Sequence, residues 1–291
     1  TGAAQSVTLT NTGNIPMTVS GITISGDFAQ TNACGSTLAP GAACIVSVTF
    51  TPTTRFSRAG ILSIQSNATP PSANVSLSGT GIAPVAALTA SLSFAPQIVR
   101  TTTTQTAVLA NNGDASLAIA SIAITGDFAQ SNTCPATLAP AASCSIQVSF
   151  TPTASGARSG SLTLSDNDPA SPAQTTALSG TGLDYSLTAS PGSVTVRAGS
   201  AALYTVTVTA LGGTFLSPVN LSCSGLPTSA TCTFSPAAIS PGGGSSSSSL
   251  QITTSNGQHG LKKTPAGTYI ITIGGASGSL SHTNSVTLIV Q

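Results

Sequence analysis

The chain has 291 residues, of which seven are Lys or Arg and six are Asp, with no Glu and a formal net charge of +1, against about 25% charged residues in an ordinary soluble domain. Seven scattered cations exclude the basic stripe with which a nucleic-acid binder neutralises phosphates, and the length fits two or three domains of ordinary size. Apolar residues come in short runs broken by Thr, Ser and Gly and never reach the roughly 18 in a row of a spanning helix, so membrane insertion is not expected. No basic leader followed by an apolar stretch stands at Thr1, and a secretion signal is expected upstream or already removed. The wealth of Ser and Thr favours strands and turns over helices, which makes the expected class all-β.

In chain order, the first unit opens on Val7-Thr8-Leu9-Thr10 and the turn Asn11-Thr12-Gly13. It continues through Gly26-Asp27-Phe28 and the alternation Val46, Val48, Phe50 to Leu77-Ser78-Gly79-Thr80-Gly81. Period two with turn residues about every ten positions predicts short antiparallel strands. A shift of one hundred positions lays Gly26-Asp27-Phe28-Ala29-Gln30 on Gly126-Asp127-Phe128-Ala129-Gln130 and Phe50-Thr51-Pro52-Thr53 on Phe150-Thr151-Pro152-Thr153. After one inserted residue, Leu178-Ser179-Gly180-Thr181-Gly182 answers the end of the first unit. This is an internal repeat whose period is the size of an immunoglobulin-like sandwich. The third segment does not superpose on the repeat but alternates in the same way at Val194 and Val196, at Tyr204, Val206 and Val208, and at Val286, Leu288 and Val290. The expected fold is therefore three tandem immunoglobulin-like β-sandwiches, 1–82, 83–183 and 184–291. Within the third, the Gly/Ser-rich tract Pro241 to Ser249 reads as an exposed flexible loop. The short linkers at 81–84 and 182–184 require neighbouring units to touch, and three globules end to end would form a rod of roughly 100 Å.

The second unit opens on Leu88, Leu92, Phe94 and Ile98 before reaching Thr101, whereas the first begins at Thr1 opposite Thr101. The first sandwich is thus expected to lack its N-terminal strand, forfeiting roughly 1.5–3 kcal/mol of burial per absent apolar side chain. An apolar groove beside an unpaired sheet edge should remain, and such an edge invites another strand. Val7 and Leu9 are the residues expected to line this assembly edge. A strand donated by a neighbouring molecule would give head-to-tail assembly; a strand lying upstream in a larger precursor is the alternative. The final strand, ending at Gln291, is expected to be used in its own domain, leaving no spare donor.

Cysteines fall two per unit, as Cys34 and Cys44, Cys134 and Cys144, Cys223 and Cys232. No unit holds four Cys and His in two spaced pairs, as zinc would need. Three intradomain disulfides are expected, each closing a loop of about ten residues at a gain of about 2–3 kcal/mol and placing the chain outside a reducing cytosol.

The string Val7-Thr8-Leu9-Thr10-Asn11-Thr12-Gly13, Gly26-Asp27-Phe28, Cys34, Leu38-Ala39-Pro40-Gly41, Cys44, Phe50-Thr51-Pro52 and Leu77-Ser78-Gly79-Thr80-Gly81 resembles the choice-of-anchor D, or Hydin-like, immunoglobulin-like repeat of secreted bacterial proteins. Ser190-Pro191, the stretch from Val219 to Pro227, Ala230-Thr231-Cys232-Thr233-Phe234-Ser235-Pro236 and Pro265-Ala266-Gly267-Thr268-Tyr269 resemble a second bacterial immunoglobulin-like domain. The resemblance implies export, surface display and a spacer or adhesive role, usually beside another module; fold motifs of this kind say little about function.

Catalytic chemistry has little to work with. Without Glu, carboxylate pairs are nearly absent, and no Gly-x-Ser-x-Gly elbow is placed between a strand and a helix. Asp166-Asn167-Asp168-Pro169 is the one dense acidic cluster; Asp166 and Asp168 are a weak calcium candidate that a self-bonded turn explains equally well. His259 sits in a loop and His282 in a strand, and Asp27 and Asp127 read as turn residues beside a core aromatic. The expectation is a secreted, non-enzymatic structural protein without cofactors. Its main partner would be itself, as a filament or stalk subunit, with other cell-surface components as further partners. The C-terminal accessory region of a larger exported enzyme or adhesin is the alternative.

Overall fold

The computed structural model describes residues 1–258 and 262–291, and all its regular structure is β. In the first unit, β1 (Gln5–Thr10), β2 (Met17–Ile24), β3 (Phe28–Asn32), β4 (Thr37–Leu38), β5 (Ala43–Phe50), β6 (Phe56–Ser66) and β7 (Ser72–Gly81) form two sheets, ordered β1-β5-β3 and β4-β2-β6-β7. Their inward residues meet around Val46, Val48 and Leu62. Asn11, buried at the β1 turn, donates through Nδ2 to the carbonyls of Ile15 and Leu38 and accepts from the Gly13 N–H, so the polar group that shapes the turn is fully satisfied.

The second unit adds three strands ahead of the common set: β8 (Ala86–Leu88), β9 (Ser91–Ser93) and β10 (Gln97–Ile98). It then repeats the plan as β11 (Thr103–Asn111), β12 (Leu117–Ile124), β13 (Phe128–Asn132), β14 (Thr137–Leu138), β15 (Ser143–Phe150), β16 (Gly156–Asp166) and β17 (Ala173–Ser190). β8 pairs antiparallel with β11, after which the chain crosses to the other sheet and β9 pairs parallel with β17. One segment thereby closes both sheets. Phe94, which follows β9, is 4% exposed in the core with Phe128 and Phe150.

Residues 182–184, expected to be a linker, lie inside the 18-residue β17. Its first half pairs with β16 and its second half with β19 (Ala201–Leu211) of the third unit. Val99 is buried in the third unit's core, so the second junction is a shared sheet.

The third unit is completed by β18 (Ser193–Val196), β20 (Val219–Ser224), β21 (Thr231–Ser235), β22 (Ala238–Ile239), β23 (Ser245–Thr253), β24 (Gly267–Ser277) and β25 (Leu280–Val290). β23 corrects the loop expected over Pro241 to Ser249. From Ser245 onward this tract is a strand paired with β19, and from Ser249 with β21 as well. Serine hydroxyls replace the apolar signal. Those of Ser245 and Ser247 bond across the ladder to Thr209 and Thr207 at 2.8 and 3.0 Å. The buried Ser248 hydroxyl donates to the Pro236 carbonyl at 2.6 Å, ahead of inward Leu250 and Ile252. β25 pairs with both β24 and β18, so the last strand is used within its own unit.

Candidate functional site: an open groove in the first sandwich

Repetition makes the site visible, because the two units share a frame but not its closure. Along β1 the period-two pattern turns Val7 toward the core, while β5 contributes Val48 and Phe50, β3 Phe28 and β7 Leu77. Between β1 and β7 these side chains line an open groove of about 540 Å³, with Gln5 and Ser78 at its rim. The Phe28 and Phe50 rings lie 4.9 Å apart in its floor. Gly79 lets the Phe50 ring lie flat on β7, since a Cβ there would stand 2.7 Å from it; Gly180 serves Phe150 alike.

In the second unit the same place is filled from within. The Phe94 ring lies 5.6 Å from Phe128 and 5.5 Å from Phe150, making a three-ring cluster. Phe150 is fully buried and Leu178 nearly so, whereas their counterparts Phe50 and Leu77 are half-buried. The free edges agree. Among the described residues β1 bonds only β5 and β7 only β6, while β11 and β17 each carry an additional strand of the opening segment. A second hollow of about 320 Å³, bounded by Asn11, Gly13, Ile15 and Asn67, continues the path beyond the end of β1.

The groove lining carries no charged side chain. The unit's buried-side ion pair stands elsewhere: Asp27 accepts from Arg58 Nε at 2.6 Å and from the Thr53 N–H, and Asp127 accepts from Arg158 Nε at 2.5 Å and from the Thr153 N–H. The guanidinium bond to each carboxylate is the main cause that lowers both to about 2. These pairs fasten the turn before β3 to β6. The arginines were missed in the sequence although the repeat aligns Arg58 with Arg158.

Of the two residues expected at the assembly edge, Val7 lines the groove and Leu9 lies half-buried further along β1, on the same free edge. Phe28, Phe50 and Leu77, which also line the groove, were not singled out as edge residues. The signal available for them was the match of Phe28 and Phe50 to the rings that enclose Phe94. The six cysteines form Cys34–Cys44, Cys134–Cys144 and Cys223–Cys232.

Asp166 and Asp168 lie in a turn in which Asp166 accepts from the Asp168 N–H and Asp168 from the Ala170 N–H. The buried Asp168 also accepts from the Ala86 N–H, tying down the start of β8. Among the described residues no group of three or more His, Cys, Asp or Glu is placed to hold a metal ion. His282 meets Asp184 at 2.7 Å and the Tyr185 ring edge-on at 4.7 Å, at the junction with the third unit; His259 lies outside the described residues.

Comparison with known proteins matches the family model "HYDIN/CFA65/VesB-like, Ig-like domain" to residues 2–80 and again to 90–181. No curated protein matches the chain. Among solved structures, a three-domain Ig fragment of titin is 10% identical and covers 100% of this chain and 93% of its own, with a TM-score of 0.34. A protein from Porphyromonas gingivalis is 13% identical, covering 62% and 91%, with a TM-score of 0.32. The secreted serine protease VesC from Vibrio cholerae is 11% identical, covering 86% and 71%, with a TM-score of 0.29.

Proposed function

The chain belongs to the HYDIN/CFA65/VesB-like Ig-like domain family through its first two units, and from that premise we propose that it is an extracellular structural protein that joins other molecules through the first sandwich. Tandem Ig-like units with a shared sheet at one junction suit load-bearing or display better than catalysis. Three disulfides and almost no charge suit an oxidising exterior. The observation that carries the reading is the apolar groove of Val7, Phe28, Phe50 and Leu77, whose counterpart in the second unit takes an extended segment; a strand from upstream in a larger precursor is the alternative occupant.

A strand added to these edges from a neighbouring subunit makes a heterologous contact, and repetition of that contact makes an open filament or stalk. Negative-stain microscopy of the native secreted material tests this: filaments with a regular axial repeat are expected. Val7→Asp together with Leu9→Asp should abolish them while the second and third units stay folded. Unchanged filaments in that variant, or only short single particles from the native source, would refute assembly through this edge. The second of these outcomes would favour the accessory-stem reading.

A further inference from the structure

We propose that the opening segment of the second unit, residues 86–101, is a two-ended strap that joins the second and third units into one cooperative folding body, so that neither sandwich opens without the other. The coupling lies wholly within residues 86–291 and does not depend on what covers the groove of the first unit.

One end of the strap closes the second unit. The Ala86 N–H donates to the buried Asp168 at 3.0 Å, and the hydroxyl of Thr176, also buried, donates to the Thr89 carbonyl. Gln105 Nε2 donates to the Ser93 carbonyl at 2.8 Å. The Phe94 N–H donates to the Ser179 carbonyl, which sets the Phe94 ring against those of Phe128 and Phe150.

A few residues further on, the same segment enters the third unit. Gln97 and Ile98 pair parallel with Gly182 and Leu183 in the middle of β17, and the Val99 N–H donates to the Leu183 carbonyl at 3.0 Å. A tight turn follows. The N–H and the hydroxyl of Thr101 both donate to the Ile98 carbonyl, at 3.0 and 2.7 Å, the Arg100 N–H donates to the Pro152 carbonyl, and Arg100 takes a left-handed φ of 67°. Val99 is 4% exposed, and every other buried residue of the core cluster it joins belongs to the third unit, Tyr185, Leu187 and Phe215 among them.

Two more features bind the same junction. β17 is the last strand of one sandwich and the first of the next without a break. Gly212 of the third unit, at a φ of 82°, lies so close to the Gly182 carbonyl and the Gly156 N–H that a Cβ would have no room.

Domains strung on a plain linker keep separate cores, and relative motion between them is the default. Here the third core cannot open without exposing Val99, and the second cannot release Phe94 without pulling on the segment that carries Val99. Burial of each side chain therefore stabilises both sandwiches, which is the condition for one cooperative unit in place of two. A load passing along the chain from β8 to β25 would meet the pair as a single mechanical element.

The test is hydrogen exchange of the full 291-residue chain across a urea series, read separately for the most protected amides of β15 and β16 in the second unit and of β23 and β24 in the third. Both sets are expected to lose protection in one transition with a shared midpoint. Val99→Ala, which shortens a side chain buried in the third core, should lower protection about 30-fold in both sets. Leu250→Ala, at a fully buried position of the third unit far from the strap in sequence, should also lower the two sets by equal factors. Separate midpoints in the unaltered chain would overturn the strap, and that measurement stands even where a variant fails to fold. Loss of protection confined to the third unit in Val99→Ala or Leu250→Ala would overturn it equally.

Discussion

The first and second sandwiches are built from one frame, yet one is closed by its own chain and the other open. The rings of Phe28 and Phe50 lie 4.9 Å apart, as do those of Phe128 and Phe150, although only the second pair has Phe94 over it. The groove is thus shaped by the common strands and not by what fills it. Gly79 and Gly180, the paired rings and the Asp–Arg clamps recur in both units. What differs is the solvent exposure of Phe50, Leu77 and Val7 and the pairing of two sheet edges.

The strongest way to break the comparison is to open the closed unit. Phe94→Ala removes a buried ring from the three-ring cluster and should cost the second sandwich about 3–5 kcal/mol, read by urea unfolding. A cost below about 1 kcal/mol would mean that the aromatic slot is not what separates the units. Next in size, Leu178→Ala should cost about 2–5 kcal/mol. Leu77→Ala, truncating a half-buried side chain, should cost about half as much; equal losses would show that the first groove is already covered in solution.

Removing Cys134–Cys144 or Cys34–Cys44 by paired Ala substitutions frees a loop of sequence separation 10 in either unit and should cost about 2–3 kcal/mol in each. Because the first unit is the less completely buried, it should be the one that unfolds at physiological temperature, as monitored by hydrogen exchange.

The acid response sharpens the comparison from the opposite side, since here the units should agree. Asp27 and Asp127 both lie at about 2, below the ordinary 3.8. Their contribution is therefore present above about pH 4 and fades as pH falls toward 2. Asp27→Asn should flatten that acid dependence in the first unit alone, whereas a variant with unchanged dependence would show that the clamp to Arg58 does not form. The smallest effect is expected at the first junction, where Arg55 meets Asp114 at 3.2 Å with both side chains partly exposed. Arg55→Ala should change stability by less than about 1 kcal/mol.

Period-two alternation, the hundred-residue repeat and the paired cysteines were enough to read the all-β class and the tandem sandwiches. All of these are local patterns or equal spacings, and a sequence states them directly. The seryl strand β23 was not legible because its register is held by hydroxyl pairing with Thr207 and Thr209 rather than by apolar alternation. Arg58 as partner of Asp27 was missed because the two residues are 31 positions apart.

Alignment of the first two units states which positions answer one another: Phe28, Phe50 and Leu77 stand where Phe128, Phe150 and Leu178 do, with Thr1 opposite Thr101. Long-range pairing sets what those positions do: which rings pack together, and that in the second unit a single segment bridges both sheets, β8 on β11 and β9 on β17. The same holds at 182–184, where a short Gly-containing stretch became the middle of β17, and at Val99, which is buried in the core of the following unit. Each depends on long-range pairing, which balances backbone hydrogen bonds and apolar burial across strands far apart in the chain and leaves no periodic mark on any one of them.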